Sequence, residues 1–211
     1  MPELHPAEET LLDHASGRLG RHLRPVVEAH LDLCPTCRTT VAALAVPGGE
    51  LLRRVDGPPP STSCWSRLLA RLDEPLSAPS LPPGAPVPPA AQAELTGGVQ
   101  RSWGGFFTRG ARFFVLDVDR EGESILGMAQ MPGGRRFPRH THLGYEHSVV
   151  LAGGYRDESG TFEEGDFGVC PPGSDHGPDT LEGEPCWILF CLERPVRFHG
   201  WRGLLQRLAG H

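Results

Sequence analysis

The spacing of hydrophobic positions changes partway along the chain. In residues 1–75, leucine and valine recur every three or four positions, the spacing that places apolar side chains on one face of an α-helix. The predicted helices cover residues 8–16, 25–33, 37–45 and 63–72. The third is predicted to stop at the sequence Pro47-Gly48-Gly49, because proline cannot supply the backbone N–H that a continuing helix needs.

From about Thr96 the pattern is typical of β-strands. Short runs of β-branched and aromatic residues alternate with turns rich in Gly, Pro and Asp, as in a small sandwich or barrel. The predicted strands are 113–119, 124–131, 135–137, 148–152, 160–162, 167–170 and 187–191. The tail, 200–211, is predicted to form a short amphipathic helix.

A proline-rich segment separates these two patterns. Residues 75–90 hold seven prolines and no charged side chain, a composition that predicts a semi-rigid extended linker. The expected organisation is a helical domain at 1–75, a linker at 76–95 and a β domain with a C-terminal tail at 96–211. The predicted fold class is therefore α+β multidomain, with a small helical domain followed by a β-barrel or sandwich.

Charge and composition exclude several classes of partner. The net charge is −6, all 20 basic residues are arginine, and no segment is a basic cluster, so we expect no direct binding of nucleic acid. The chain has no run of 18 apolar residues, so no membrane span is expected. Its acidic start lacks the apolar core of a secretory signal. A cytoplasmic location is expected, where six cysteines indicate metal or thiol chemistry.

The first group of candidate metal ligands lies in the sequence HLDLCPTC. His30 and Cys34 are four residues apart and project from one face of a helix end, and Pro35 begins a turn that returns Cys37 to the same point. Two thiolates and one imidazole are three ligands of a tetrahedral zinc site. His5 is the preferred fourth ligand, with His14 and His22 as alternatives.

Two other interpretations of this motif stay open. Cys34 and Cys37 form a Cys-x-x-Cys pair, as in thioredoxin-like redox proteins, although no strand precedes them. They are also compatible with ordinary helix-end cysteines. Zinc is favoured because a helical segment this short has little core, and a bound metal would stabilise it.

The N-terminal segment resembles the zinc-binding anti-sigma factors. The motif H-x3-C-x2-C is present as His30, Cys34 and Cys37, and the preceding LLDHASGRL looks like the first helix and turn of that family. The resemblance covers about residues 3–75. It implies that the helical domain binds a group IV (ECF) sigma factor and blocks the contact of that factor with RNA polymerase.

A second group of candidate ligands lies in the β region. Side chains of a strand alternate between its faces, so His140, His142 and Glu146 share one face, and His147 points outward. A Pro-Pro-Gly turn then brings His176 toward them. Three imidazoles and one carboxylate would bind a divalent metal, with zinc the expectation, and leave one or two coordination positions open.

The spacing of these residues is similar to the two cupin motifs, over about residues 105–195. The first motif is matched by Gly134, His140, His142, Glu146 and Gly153, and the second by Gly165, Pro171, Gly173 and His176. Thr180 departs from the asparagine that is common in the second motif. Cupins include enzymes, binding proteins and sensors, so this resemblance implies the fold and leaves the function open.

The remaining cysteines and acidic residues are predicted to be structural. Cys64, Cys170, Cys186 and Cys191 are expected to be buried and unreactive. Cys186 and Cys191 are five residues apart and would face opposite sides of one strand, so they cannot form a disulfide without a bend in that strand. The acidic stretch 158–166 is predicted to be a solvated hairpin.

The combination of a zinc-binding helical domain, a proline-rich linker and a cupin resembles the ChrR-type anti-sigma factors. In that family the cupin is needed for the response to singlet oxygen or related peroxides. The resemblance therefore implies a transcriptional regulator that is not an enzyme, with an ECF sigma factor as its partner. A cupin dioxygenase is the main alternative, because it has the same kind of exposed metal. A metal-storage protein is less compatible with two unlike sites.

Overall fold

The computed structural model describes residues 1–72, 79–95, 98–104, 110–119 and 124–200, with Trp103 described by its backbone alone. The helices are α1 Glu8–Ala15, α2 Leu23–Leu33, α3 Pro35–Arg53, α4 Thr62–Leu72 and α5 Pro89–Glu94. The helix predicted for the tail falls outside the described residues. None of the helices in the described part of the chain combines the length and the apolar character needed to cross a membrane.

Helix α3 is longer than the sequence predicts. It begins at Pro35 and continues through Pro47 to Arg53, so the predicted stop at Pro47 is wrong. A proline removes one N–H from the helical hydrogen-bond ladder. Here the rest of the ladder continues across it. Only Cys37 of this helix is buried, so most of α3 is open to solvent.

Part of the segment predicted to be an extended linker is folded against α2. Residues 89–94 form α5, where Pro89 occupies the first turn, a position that proline favours. Val87, Ala91 and Leu95 are buried, and the N–H of Ala90 donates to a carboxylate oxygen of Asp32 at 2.9 Å. The prediction of an extended chain is therefore wrong at this helix. The division into three domains at residues 75 and 95 stays a prediction.

Twelve strands form three antiparallel sheets within the described residues. They are β1 Arg101–Gly104, β2 Arg112–Val118, β3 Ile125–Met131, β4 His140–Thr141, β5 Glu146–Ala152, β6 Gly154–Asp157, β7 Gly160–Glu163, β8 Phe167–Cys170, β9 Asp175–His176, β10 Asp179–Thr180, β11 Cys186–Leu192 and β12 Arg197–Phe198. The large sheet has the order β1-β2-β3-β11-β5-β8, and the small sheets have the orders β10-β6-β7 and β12-β4-β9. We call these sheets together the β-sandwich.

The two faces of the large sheet pack against different partners. Trp187, Leu189 and Cys191 belong to a core that also contains residues of α1, α2, α3 and α5. Cys186 and Ile188 alternate with them and pack into a second core inside the β-sandwich. The helices thus cover the outer face of the sheet, with α2 in contact with β5 and β11. Cys191 packs into the core shared with the helices, and Cys186 packs into the second core. The two thiols therefore face different sides of β11, as predicted.

A polar cluster links the start of α2 to strand β2. His22 is buried; its Nε2 lies 3.1 Å from Oδ2 of Asp117, and its Nδ1 lies 2.7 Å from Oγ of Ser124. Arg21 forms an ion pair with the same carboxylate of Asp117. The N-terminal end of α2 is therefore held to the β-sandwich by polar contacts, and its middle by the shared core.

Candidate metal centres

The first group of candidate ligands comes together where α2 meets α3. His30 lies in the last turn of α2, Cys34 separates the two helices, and Cys37 lies in the first turn of α3. One ligand atom from each of these residues and from His5 lies within 4.8 Å of the others. Nδ1 of His5 is 3.5 Å from the Sγ atoms of both Cys34 and Cys37. The donor set is two sulfur and two nitrogen atoms, which zinc prefers in tetrahedral sites.

The His30 ring is oriented as a metal ligand would be. Its Nδ1 lies 2.7 Å from the carbonyl oxygen of Gly165, which can only accept, so Nδ1 carries the proton. The lone pair is then on Nε2, a fully buried atom with no hydrogen-bond partner in the structure. A buried polar atom without a partner is costly, and a cation at the center of the four donors would satisfy it.

His14 and His22, the alternative fourth ligands, lie elsewhere. Nε2 of His14 pairs with a carboxylate oxygen of Glu28 at 2.8 Å, and the His22 ring bridges Asp117 and Ser124. Of the three histidines considered from the sequence, His5 is the one that the fold brings to the thiols.

Burial disfavours the redox interpretation of Cys34 and Cys37. A reactive Cys-x-x-Cys thiol has a lowered pKa, whereas burial, followed by the neighbouring Cys34, raises the pKa of the Cys37 thiol to about 12. Burial also lowers the pKa of His30, so its imidazole is neutral at pH 7, the form that binds metal.

The second group of candidate ligands is buried in the β-sandwich. His140 in β4 is paired across the sheet with His176 in β9, and His142 follows β4 directly. Nε2 of His176 lies 3.2 Å from Nε2 of His140 and 3.1 Å from Nε2 of His142. All three imidazoles are thus in the positions predicted from strand parity and the Pro-Pro-Gly turn.

The hydrogen bonds of these rings leave their lone pairs facing one another. Nδ1 of His140 donates to the carbonyl oxygen of Pro138 at 3.1 Å, and Nδ1 of His176 donates to the carboxylate of Asp157 at 2.7 Å. Both Nε2 atoms are therefore acceptors, although they are only 3.2 Å apart. A cation between them would replace this repulsion by coordination. The donor set fits a divalent metal.

Glu146, predicted as the fourth ligand, lies beside this trio and not within it, because in the described residues the ligand atoms within 4.8 Å of one another are those of the three histidines. It is the first residue of β5, and its Oε2 is 3.6 Å from Nδ1 of His142, an atom that is buried without a hydrogen-bond partner. Burial raises the pKa of Glu146 to about 7. Burial, with the neighbouring His176, lowers the pKa of His140 to about 3 and that of His142 to about 4, which keeps both imidazoles neutral.

His147 faces away from the candidate metal site, as predicted from parity, but it is not on an open surface. Its ring lies between Tyr145 at 5.9 Å and Phe167 at 6.2 Å. Phe167 also contacts the His30 ring, with ring centroids 5.8 Å apart. The outer face of β5 is directed toward the helices. On that face, the rings of Tyr145 and Phe167 lie beside His147 and leave it half-buried.

The sequence does not single out two carboxylates, Asp157 and Asp166, because they occur in or beside the stretch predicted to be a solvated hairpin. Asp157 is paired with His176, and Asp166 is buried, so the prediction of solvation is wrong at Asp166. The sequence signal was indirect. An aspartate next to a turn glycine is common in exposed loops, and only the fold shows which carboxylate meets a candidate ligand.

The other cysteines differ in their burial. Cys186 and Cys191 are buried as predicted, and Cys170 is only partly buried. Burial raises the pKa of all three thiols to about 12, which agrees with unreactive side chains. Cys64 is exposed, so the prediction of a buried thiol there is wrong. The reason is that no residue of α4 is buried.

Comparison with known proteins extends across both parts of the chain. Residues 96–196 match the family described as ChrR Cupin-like domain. Anti-sigma-E factor ChrR of Cereibacter sphaeroides is 31% identical over 201 residues, which cover 93% of this chain and 92% of that protein. The crystal structure of Rhodobacter sphaeroides SigE in complex with the anti-sigma ChrR matches with a TM-score of 0.69 and 29% identity, over 91% of this chain and 100% of the matched chain.

These likenesses confirm the cupin-like β-sandwich with its added helices. They also confirm the resemblance inferred from the two sets of ligand spacings, because the match to the curated relative continues from the helices into the β-sandwich. This chain belongs to the ChrR family of anti-sigma factors.

Proposed function

We propose that this protein binds an ECF sigma factor and keeps it from RNA polymerase until an oxidant acts on its cupin part. The observation that carries the proposal is the match, over about nine-tenths of this chain, to a ChrR chain solved in complex with SigE. Because the match includes the helices as well as the β-sandwich, we assign the exposed surface of the helices to binding of the sigma factor.

The apolar face of α4 supports this role. Trp65, Leu68, Leu69 and Leu72 recur along one face of the helix, and they are 61%, 48%, 43% and 71% exposed. Leu51, Leu52 and Val55, at and just beyond the end of α3, are also exposed. Grouped apolar side chains on a surface mark sites of protein interaction. Helix α2 is occupied by the β-sandwich, so α4 and the end of α3 are the surfaces we assign to the sigma factor.

We propose zinc as the metal of both sites. His5, His30, Cys34 and Cys37 would hold it in a closed tetrahedral site that stabilises the helices. His140, His142 and His176 would hold the second ion and leave a position open to a further ligand, with the carboxylate of Glu146 beside the His142 ring as the nearest candidate. Bound there, the metal supplies a Lewis-acidic position for an oxygen ligand, and the surrounding residues hold its imidazole ligands neutral.

A sensory role for the second site is favoured over a catalytic one. The whole-length likeness is with an anti-sigma factor, and helices that cover the large sheet would add nothing to a metabolic dioxygenase. The shared core joins the sheet to α2, so a change in the β-sandwich has a physical route to the helices. We propose singlet oxygen or an organic hydroperoxide as the signal.

The test uses a reporter driven by the partner sigma factor, with and without singlet oxygen. His142→Ala should lose the cupin metal, still inhibit the sigma factor and fail to release it. His147→Ala, on the other face of β5, is the control and should keep the metal. A normal oxidant response in His142→Ala protein that lacks the cupin metal would rule out the metal as detector. Failure of the full chain to co-purify with its sigma factor would contradict the proposed function itself.

A further inference from the structure

The N-terminal arm that carries His5 is attached to the β-sandwich. Residues 1–7 precede α1 and form no regular element. The backbone N–H groups of Glu3 and Leu4 donate to Oδ1 of Asp166 at 2.7 and 3.1 Å. The N–H of Phe167 donates in return to the carbonyl oxygen of Leu4 at 3.0 Å. These hydrogen bonds end one residue before His5 and fix the place from which its ring reaches the thiols.

The carboxylate of Asp166 is well suited to hold this arm. Asp166 is only 5% exposed, and its second oxygen accepts a hydrogen bond from the N–H of Glu163 at 2.8 Å. A buried carboxylate is tolerated when donors satisfy it. Two of the three backbone donors here come from the arm, so the arm and the carboxylate depend on each other.

The neighbouring residue, Gly165, orients a second candidate ligand, His30. Its carbonyl oxygen accepts the hydrogen bond from Nδ1 of His30 at 2.7 Å. Its φ is +90°, and a Cβ atom would lie 2.5 Å from Cγ of Pro2 and 3.3 Å from Cβ of Leu33. The turn therefore fits tightly between the arm and the end of α2, which leaves no space for a larger residue.

We propose that Asp166 is a positioning residue of the N-terminal metal site: the β-sandwich, through Asp166, holds His5 against the thiols of Cys34 and Cys37. This inference rests on the metal site proposed above. Replacement of a group that orients a metal ligand typically weakens metal affinity by about 10–100-fold. By thermodynamic linkage, metal binding then stabilises the attachment of the arm to the β-sandwich by the same free energy.

The position of Asp166 connects the two candidate metal sites. Strand β8 begins at the next residue, Phe167, and ends at Cys170, which lies opposite Glu146 in β5. One short strand thus runs from the residue that holds the N-terminal arm to the partner of Glu146, which lies beside the second group. A displacement of β8 at Cys170, near the cupin site, would shift Phe167 at the other end of the strand and with it the hydrogen bond that holds the N-terminal arm.

The test is a titration of the metal-free full chain with Co²⁺. Thiolate-to-Co²⁺ charge-transfer absorption reports the N-terminal site, because the second donor group, in the described residues, contains no thiol. Asp166→Ala should weaken Co²⁺ binding there about 10–100-fold and shift the d–d bands to those of His5→Ala. Asp166→Asn, which keeps one acceptor oxygen, should have a smaller effect. Glu164→Gln is the matched control, since it removes an exposed carboxylate from the same turn.

A double substitution separates positioning from a general effect on folding. If Asp166 acts through His5, Asp166→Ala should cause no further loss of affinity in a His5→Ala background. Losses that add would overturn the inference. Glu3→Pro removes one N–H donor of the arm and leaves the Asp166 carboxylate in place. It should therefore also weaken Co²⁺ binding, and it provides a test even if Asp166→Ala does not fold.

Unchanged Co²⁺ affinity in Asp166→Ala and in Glu3→Pro would contradict the inference. Absence of the charge-transfer band in the parent protein would contradict the metal site itself.

Discussion

Oδ2 of Asp157 lies 2.7 Å from Nδ1 of His176 and accepts a hydrogen bond from its N–H. Burial alone would raise the pKa of Asp157, but the hydrogen bond from His176 and those from the backbone hold it below its ordinary value, so the group is a carboxylate. Asp157 is almost fully buried in this pair, with 2% of its side chain exposed. It fixes the tautomer of His176 that presents Nε2 to His140 and His142.

Replacement of this carboxylate should weaken the cupin metal site. Asp157→Asn keeps the shape of the side chain but removes its charge, and such changes next to a metal-binding histidine typically cost about 10–100-fold in affinity. The measurement is competition for Zn²⁺ with a chromophoric chelator in the full chain. Glu158→Gln is the control, because Glu158 is an exposed neighbour that pairs with Arg139. Equal affinities for the two variants would show that Asp157 does not position His176.

The shared core should make the helices and the β-sandwich unfold together. Leu189 is fully buried in the core that joins α2 to the large sheet, so Leu189→Ala should lower the free energy of unfolding by about 2–5 kcal/mol. Denaturant unfolding should remain one transition when followed by helical circular dichroism and by tryptophan fluorescence.

The control for this substitution is Leu52→Ala. Leu52 is 74% exposed near the end of α3, so its loss should change stability by less than about 0.5 kcal/mol. Two separate transitions in the Leu189→Ala protein would mean that the helices and the β-sandwich are independent units.

The local features of the fold could be predicted from the sequence, and the long-range contacts could not. Periodicity located α1, α2 and α4, and strand parity placed His140 and His142 on one side. The H-x3-C-x2-C spacing identified candidate ligands that are neighbours along the chain. The sequence does not reveal helix α5, because the prolines that precede it and Pro89 at its start are equally typical of an extended linker, although Pro89 suits the first turn of a helix.

The supporting residues were missed for a different reason. Asp157 and Asp166 act on ligands that are 19 and 161 residues away in sequence, His176 and His5, so no local pattern connects them. Their environment arises when β6, β7 and β8 assemble beside α2 and the N-terminal arm. In the same way, residue counting cannot show that the His147 ring lies beside the rings of Tyr145 and Phe167 and is half-buried.

The exposed face of α4 should be essential for binding the sigma factor. Trp65→Ala should weaken the complex by on the order of 30-fold, because a central aromatic side chain at an interface often contributes about 2 kcal/mol or more. Arg67→Ala, on the same helix, is the matched control. Both variants should keep the stability of the parent, since neither residue is buried. A fluorescence binding titration with the purified partner sigma factor measures the difference; unchanged affinity in Trp65→Ala would place the interface elsewhere.

The contact between α2 and β2 should make stability depend on pH in the acid range. Burial opposes ionisation of Asp117, yet the hydrogen bond from His22 and the charge of Arg21 hold its pKa below the ordinary value of 3.8. A carboxyl group with a lowered pKa in the folded state stabilises the protein above its unfolded pKa, and this contribution is lost as the pH falls through the folded pKa. Asp117→Asn should therefore reduce the free energy of unfolding at pH 6 and flatten its decline below about pH 4. Asp56→Asn, in the exposed loop before α4, is the control, and an identical acid slope in parent and Asp117→Asn protein would show that this ion pair does not hold α2 to the sheet.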